Sequence, residues 1–288
     1  MTKNVKRTFA YIKHNWLSVY VHALIVSIIF TIFVNPTSSF DYIVTEISNF
    51  KFENMLEIFV KINDGSKWGN WQYVITFFSI AVVSLIVFSS FIGQIQNKMR
   101  YGQPLYHGIK GIFKRTNEFL FATLRALITV AIAMEFFAVL MSLVLYFAVS
   151  VIHSTVAKIV VVLFFAVLLV TGYMYGLAWL SCVLPNMTMR NAGLFSSMKS
   201  SANMVKDKVN GVFLDFGLPL LLFYIPILTI SGFDIVYNHV VLTIIRYVVN
   251  FAFYMFSFTY YIIYMYCLFF DLNEIEREDI NEHSKWRI

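Results

Sequence analysis

Five residues place charge or a strong dipole inside otherwise apolar stretches of this chain: Arg125, Glu135, Asp215, Arg246 and Asn250. A charged side chain at the centre of a bilayer costs about 2.5–3.5 kcal/mol on insertion scales, so each one asks for a partner or a wet cavity. Arg125 and Asp215 each follow the start of an apolar block by a short distance. Glu135 lies beyond the middle of its block, and Arg246 lies near the start of the last one. If successive blocks run in opposite directions, depth matches Arg125 with Asp215 and Glu135 with Arg246, and both contacts are expected. Two chemistries follow. The pairs fix helix register, or Glu135 and Arg246, with Asn250 one turn further on, line an aqueous path for ions, protons or a polar headgroup. His22 reads as a hydrogen-bonded packing residue, with a proton shuttle as the alternative.

The elements that position these groups are membrane helices. Of the 288 residues, 59% are hydrophobic and 13% charged, far from the roughly half and quarter of soluble domains. The apolar residues form long blocks, and a helix needs about 20 of them to cross the hydrocarbon. Six blocks stand out, at about 16–34, 73–93, 119–148, 158–184, 212–231 and 241–270. The expected fold is therefore all-α: a polytopic membrane bundle of about six transmembrane helices with cytoplasmic amphipathic helices. Residues 1–270 form a single domain and 271–288 an acidic tail.

Charge orients the bundle. The N-terminus, the segment with Lys98, Arg100, Lys110, Lys114 and Arg115, and the segment with Arg190, Lys199, Lys206 and Lys208 are basic. Six alternating spans put all three on one side, which the positive-inside rule makes the cytoplasm, with both termini inside. The net charge of +6 thus belongs to loops facing headgroups and not to a nucleic-acid surface. The outer loop, 35–72, carries Phe52, Met55, Leu56, Phe59 and Val60 at helical spacing, a short amphipathic helix, and ends at Trp68 and Trp71, suited to the headgroup layer.

The basic segments also share a pattern. Lys13-His14-Asn15, Arg115-Thr116-Asn117 and Lys208-Val209-Asn210 each precede a span, after apolar residues at helical spacing: Val5, Phe9, Ile12 and Trp16; Leu105, Ile109, Ile112 and Phe113; Phe195, Met198, Ala202, Val205 and Val209. Three units, each a surface helix and a transmembrane hairpin, are one reading; the other is that any helix leaving a membrane needs basic and amide residues at the headgroups. The run Thr8-Phe9-Ala10-Tyr11-Ile12-Lys13-His14-Asn15-Trp16, the segment from Gly193 through Lys199-Ser200-Ser201 to Asn210, and Phe269-Phe270-Asp271-Leu272 resemble bacterial six-span proteins related to the membrane domain of glycerophosphoryl diester phosphodiesterases. The resemblance implies a six-span fold with interfacial helices and a bacterial inner membrane. It implies little about activity, since a hydrolase domain has no room in this chain.

In the fourth block, Gly172 and Gly176 share a helix face and permit close helix approach, as an internal seam or a dimer contact. In the fifth, Pro219 and Pro226 each remove a backbone hydrogen bond, so a kink is expected. Cys182 and Cys267 lack CxxC neighbours, the six histidines lack metal-ligand spacing, and nucleotide, nucleophile-elbow and HExxH motifs are missing. No metal or cofactor is expected. The leading expectation is a non-enzymatic membrane component that transports, or helps to transport or insert, a lipophilic or peptide-like substrate, partnered by lipid, a cytosolic ATPase or other protein, or a second copy. An accessory, scaffold or immunity protein and an intramembrane lipid-modifying enzyme are the alternatives.

Overall fold

The computed structural model describes residues 3–33, 71–102, 119–129, 132, 133, 136, 140, 144, 151, 154–237, 239–275 and 277. Every regular element among them is helical: α1 (Lys3–His14), α2 (Trp16–Phe33), α3 (Trp71–Tyr101), α4 (Phe119–Thr129), α5 (Thr155–Leu180), α6 (Val183–Met189), α7 (Leu194–Val205), α8 (Val209–Tyr237) and α9 (Val240–Leu272), with a 3₁₀ turn at Lys206–Lys208. Three stretches are long and apolar enough to cross a membrane, namely Phe78–Tyr101, Leu194–Asp234 and Val240–Leu272. The bent pair Lys3–His14 and Trp16–Ile32 makes a fourth if counted as one span. Their outward faces are apolar, with Leu17, Phe78, Leu222 and Val248 all exposed. Surfaces of that kind are rare on soluble monomers and match hydrocarbon as solvent. The expected outer-loop helix, Glu135 and the middle triplet fall outside the described residues, and the six-span count and threefold repeat extend into them.

The core is one end of α9. Tyr260, Ile263, Tyr264, Tyr266, Cys267, Leu268, Phe269 and Phe270 are all buried to 1% exposure or less, with Tyr261, Ile262 and Met265 partly buried beside them, so this half of the helix is largely enclosed. At about 1.5 Å per residue the 33 residues of α9 reach roughly 50 Å, well past the hydrocarbon thickness of about 30 Å. The excess is enclosed by protein: α1, α2, α6 and α8 all pack on α9. α1 presents Asn4, Val5, Thr8, Tyr11 and Ile12 inward, a face turned from the expected Val5-Phe9-Ile12-Trp16 stripe, and Phe9 and Trp16 are exposed. Phe9 nevertheless sets its ring 5.7 Å from that of Tyr260 on α9.

In α7 the buried residues are Ser197, Ser201 and Val205, whereas Phe195, on the apolar stripe read from the sequence, is 81% exposed. Ser201 explains the choice: its hydroxyl donates to Trp179 O at 2.6 Å and accepts from Cys182 N at 3.1 Å. One side chain thereby satisfies backbone groups left over where α5 gives way to α6. The two described triplets also do different work. Asn15 turns back to Tyr11 O at the end of α1 (3.1 Å), whereas Asn210 accepts from Tyr175 Oη across to α5 (3.2 Å).

α8 meets α5 at Gly217, where an added Cβ would lie 2.9 Å from Sδ of the flexible Met174 side chain. Gly172 and Gly176 instead border an apolar cavity of about 350 Å³ shared with Ala133, Phe136 and Leu140. α8 runs unbroken through Pro219 and Pro226. α3 ends at Gly102, whose φ of 67° is the left-handed cap that glycine adopts without strain.

Candidate functional site

Along α9 the polar residues Thr243, Asn250, Ser257, Tyr264 and Asp271 recur every seven positions. Seven residues fall about 20° short of two full turns, so the five form one slowly winding seam about 42 Å long. Each end of the seam and a point near its inner third is tied to charge on a neighbouring element.

At one end, the α8–α9 hairpin is tight, with His239 Nδ1 accepting from Val241 N at 3.2 Å as the N-cap of α9. The turn brings Asp234 against α9, where Thr243 Oγ1 donates to Oδ1 at 2.7 Å and Arg246 Nη1 to Oδ2 at 3.0 Å. The Asp234 side chain is 8% exposed and that of Arg246 23%. Arg246 therefore has a carboxylate partner twelve residues upstream that sequence depth did not identify; Glu135, its expected partner, is outside the described residues.

Deeper in the bundle, Asp215 is buried and accepts from Tyr264 Oη at 2.8 Å. No ion pair among the described residues joins it to Arg125, which is exposed on α4. The expected Arg125–Asp215 contact is thus corrected: equal depth does not imply equal azimuth, and Arg125 points away. Beside this contact Tyr260 Oη donates to Asp215 O and Tyr261 Oη to Phe216 O, both at 2.9 Å. Pro219, having no N–H, cannot donate to the carbonyl four residues back, which is that of Asp215. Tyr260 supplies the missing donor.

Between these anchors, Asn250 is buried, and its Oδ1 and Ser257 Oγ have no hydrogen-bond partner. In an apolar interior such groups are costly unless water or a ligand meets them. At the far end of the seam, Asp271 Oδ1 meets Arg7 Nη1 at 2.9 Å and Lys3 Nζ at 3.2 Å, and Oδ2 lies 3.9 Å from Lys208 Nζ. Asp271, read from composition as the start of a tail, is the penultimate residue of α9 and gathers α1 and the 3₁₀ turn around it. Nearby, Arg277 returns to donate to Cys267 Sγ at 3.0 Å, and Cys182 and Cys267 are both buried and not joined in a disulfide.

Sequence reasoning singled out Arg246, Asp215 and Asn250 but passed over Asp234, Tyr260 and Tyr264. The seven-residue recurrence was the signal available for Tyr264, but Asp234 had none, since it falls where the fifth block ends. Among the described residues no three His, Cys, Asp or Glu side chains converge as metal ligands. Comparison with protein-family models, curated proteins and solved structures finds no match for this chain.

Proposed function

We propose that this chain is a multi-pass inner-membrane protein, with both termini in the cytoplasm, that transports a lipophilic or peptide-like substrate or serves as the membrane subunit of a complex that does. The observation carrying this reading is the α9 seam, in which Asn250 and Ser257 hold buried, unpartnered oxygens between two carboxylates, Asp234 and Asp215. Polar groups of that kind within membrane-length helices characteristically mark routes for polar cargo or coupling ions. Orientation is supported by the gathering of Lys3, Arg7 and Lys208 at the Asp271 end of α9, the basic end that the positive-inside rule assigns to the cytoplasm. The likeness of Thr8–Trp16 to six-span bacterial membrane domains supports the remaining spans.

The test is affinity purification from native membranes in mild detergent, mass spectrometry of bound proteins, and flux measurement with a hydrophobic dye and a hydrophobic peptide in proteoliposomes. A stoichiometric nucleotide-binding partner, or flux by the chain alone that Asn250→Leu removes, is expected. A chain recovered alone that moves neither probe overturns the proposal.

The second reading, an accessory scaffold, is favoured by one observation: the Asp215–Tyr264 and Asp234–Arg246 contacts already satisfy their carboxylates within the protein. It predicts normal function from Asn250→Leu.

A further inference from the structure

The outward face of α4, away from the α9 seam, carries a charge that no described residue answers. Arg125 is exposed, and Phe121 one turn before it and Ile128 one turn after it are exposed as well, so its stem lies on an apolar strip. Among the described residues its guanidinium has no hydrogen-bond or ion-pair partner. The elements on this side offer none: α4, α5, α6 and α7 contain no Asp or Glu, while α7 adds the exposed Lys199. A fork of five N–H donors on a lipid-facing strip calls for an anion, and its geometry matches carboxylate or phosphate.

Packing fixes the depth of this charge. Ala126, the next residue, lies in a cluster with Val183 and Met187, against which Leu180 and Leu184 also pack. Arg125 therefore stands at the level where the apolar α5 gives way to α6. Side chains lean towards the N-terminus of their helix, so the guanidinium reaches away from the long apolar run of α5 and towards the headgroup layer, as a snorkelling arginine does.

Leu180 belongs to a second feature at the same level. With Gly172, Gly176, Trp179 and Phe136 it lines the apolar cavity of about 350 Å³, whose lining contains no charged residue. The cavity runs along α5 from Leu180 to Gly172, about 12 Å at 1.5 Å per residue, close to the roughly 15 Å that is half of the hydrocarbon thickness. Two glycines leave its wall without side chains, which suits an extended hydrocarbon chain laid against the helix.

We infer that this face holds an anionic phospholipid, its phosphate on Arg125 and one acyl chain in the cavity against Gly172 and Gly176. A second copy of the chain is the competing occupant. A two-fold contact through this face would set the same acid-free helices against each other and leave both guanidinium groups unanswered. The inference is independent of the transport reading.

Trp179 lines the cavity and reports on it. In the full-length chain with Trp16, Trp68, Trp71 and Trp286 replaced by Phe, reconstituted in phosphatidylcholine nanodiscs, brominated-chain phosphatidylglycerol should quench Trp179 several-fold more than brominated phosphatidylcholine at the same mole fraction. Arg125→Gln, at an exposed position where folding is insensitive, should bring phosphatidylglycerol down to the level of phosphatidylcholine, and Arg125→Lys should retain part of the preference. Gly176→Leu, which sets a side chain in the cavity, should reduce quenching by both lipids. Equal quenching by the two lipids in the parent chain, or a preference that survives Arg125→Gln, overturns the inference. So does a dimer, seen by native mass spectrometry, that Gly176→Leu dissociates.

Discussion

Tyr260 donates its hydroxyl, at 2.9 Å, to the backbone carbonyl of Asp215, the carbonyl that Pro219 leaves without its helical donor. A hydrogen bond missing from one unbroken helix is thereby replaced by a side chain from the next, at a buried position where water cannot substitute for it.

Tyr260→Phe should therefore destabilise the protein by about 1–3 kcal/mol, the range for leaving a buried polar group unsatisfied. In a Pro219→Ala background the backbone N–H returns and the same substitution should cost clearly less. Thermal unfolding of the four proteins in detergent gives the cycle, and equal costs in both backgrounds would show that Tyr260 acts through packing alone.

Asp215 and Tyr264 should respond unequally. Asp215→Asn keeps an oxygen that accepts from Tyr264 Oη and removes a buried charge, so it should be near neutral for stability. Tyr264→Phe takes one hydrogen bond from a buried carboxylate and should be the more destabilising of the two by about 1 kcal/mol. Melting temperatures that rank the other way would place the importance of Asp215 in its charge and not in its hydrogen bond.

The Asp234–Arg246 pair closes the α8–α9 hairpin with one nearly buried and one quarter-exposed member. Removing one partner of a fully buried pair costs about 3–5 kcal/mol, and the partial exposure of Arg246 reduces that to roughly half. Arg246→Gln should lower the folded yield, and adding Asp234→Asn should restore much of it. Size-exclusion recovery of both variants measures this; losses that simply add would show that the two charges are not coupled.

Asp271 ties α1 and the 3₁₀ turn to the end of α9 through Lys3, Arg7 and Lys208. Since both lysines are largely exposed, Asp271→Asn should change global stability by less than about 1 kcal/mol. Hydrogen exchange should nevertheless quicken across α1 and Lys206–Lys208, and 1 M salt should bring the wild-type chain close to the variant, because screening shortens the reach of exposed charges to about 3 Å. Unchanged exchange would mean that the apolar face of α1 holds it without the cluster.

The amino-acid sequence by itself determined that this chain is all-α with membrane-length helices, because continuous apolar blocks admit no other backbone that satisfies its own hydrogen bonds in hydrocarbon. It also marked Asp215, Arg246 and Asn250 as exceptional, since the type of a polar group and its place within an apolar block are both read directly from the chain. Partners were decided by the tertiary structure. Depth along a helix is legible in one dimension, but azimuth is not, so Arg125 matched Asp215 in depth and yet faces outward, while Tyr264, an ordinary aromatic in a row of aromatics, holds the carboxylate. Likewise Arg246 meets Asp234 because the turn between α8 and α9 folds one helix end onto the next, and Ser201 faces inward because its hydroxyl meets Trp179 O and Cys182 N. Hydrophobicity sets which segments leave water; shape and unpaired hydrogen-bonding groups set which faces meet.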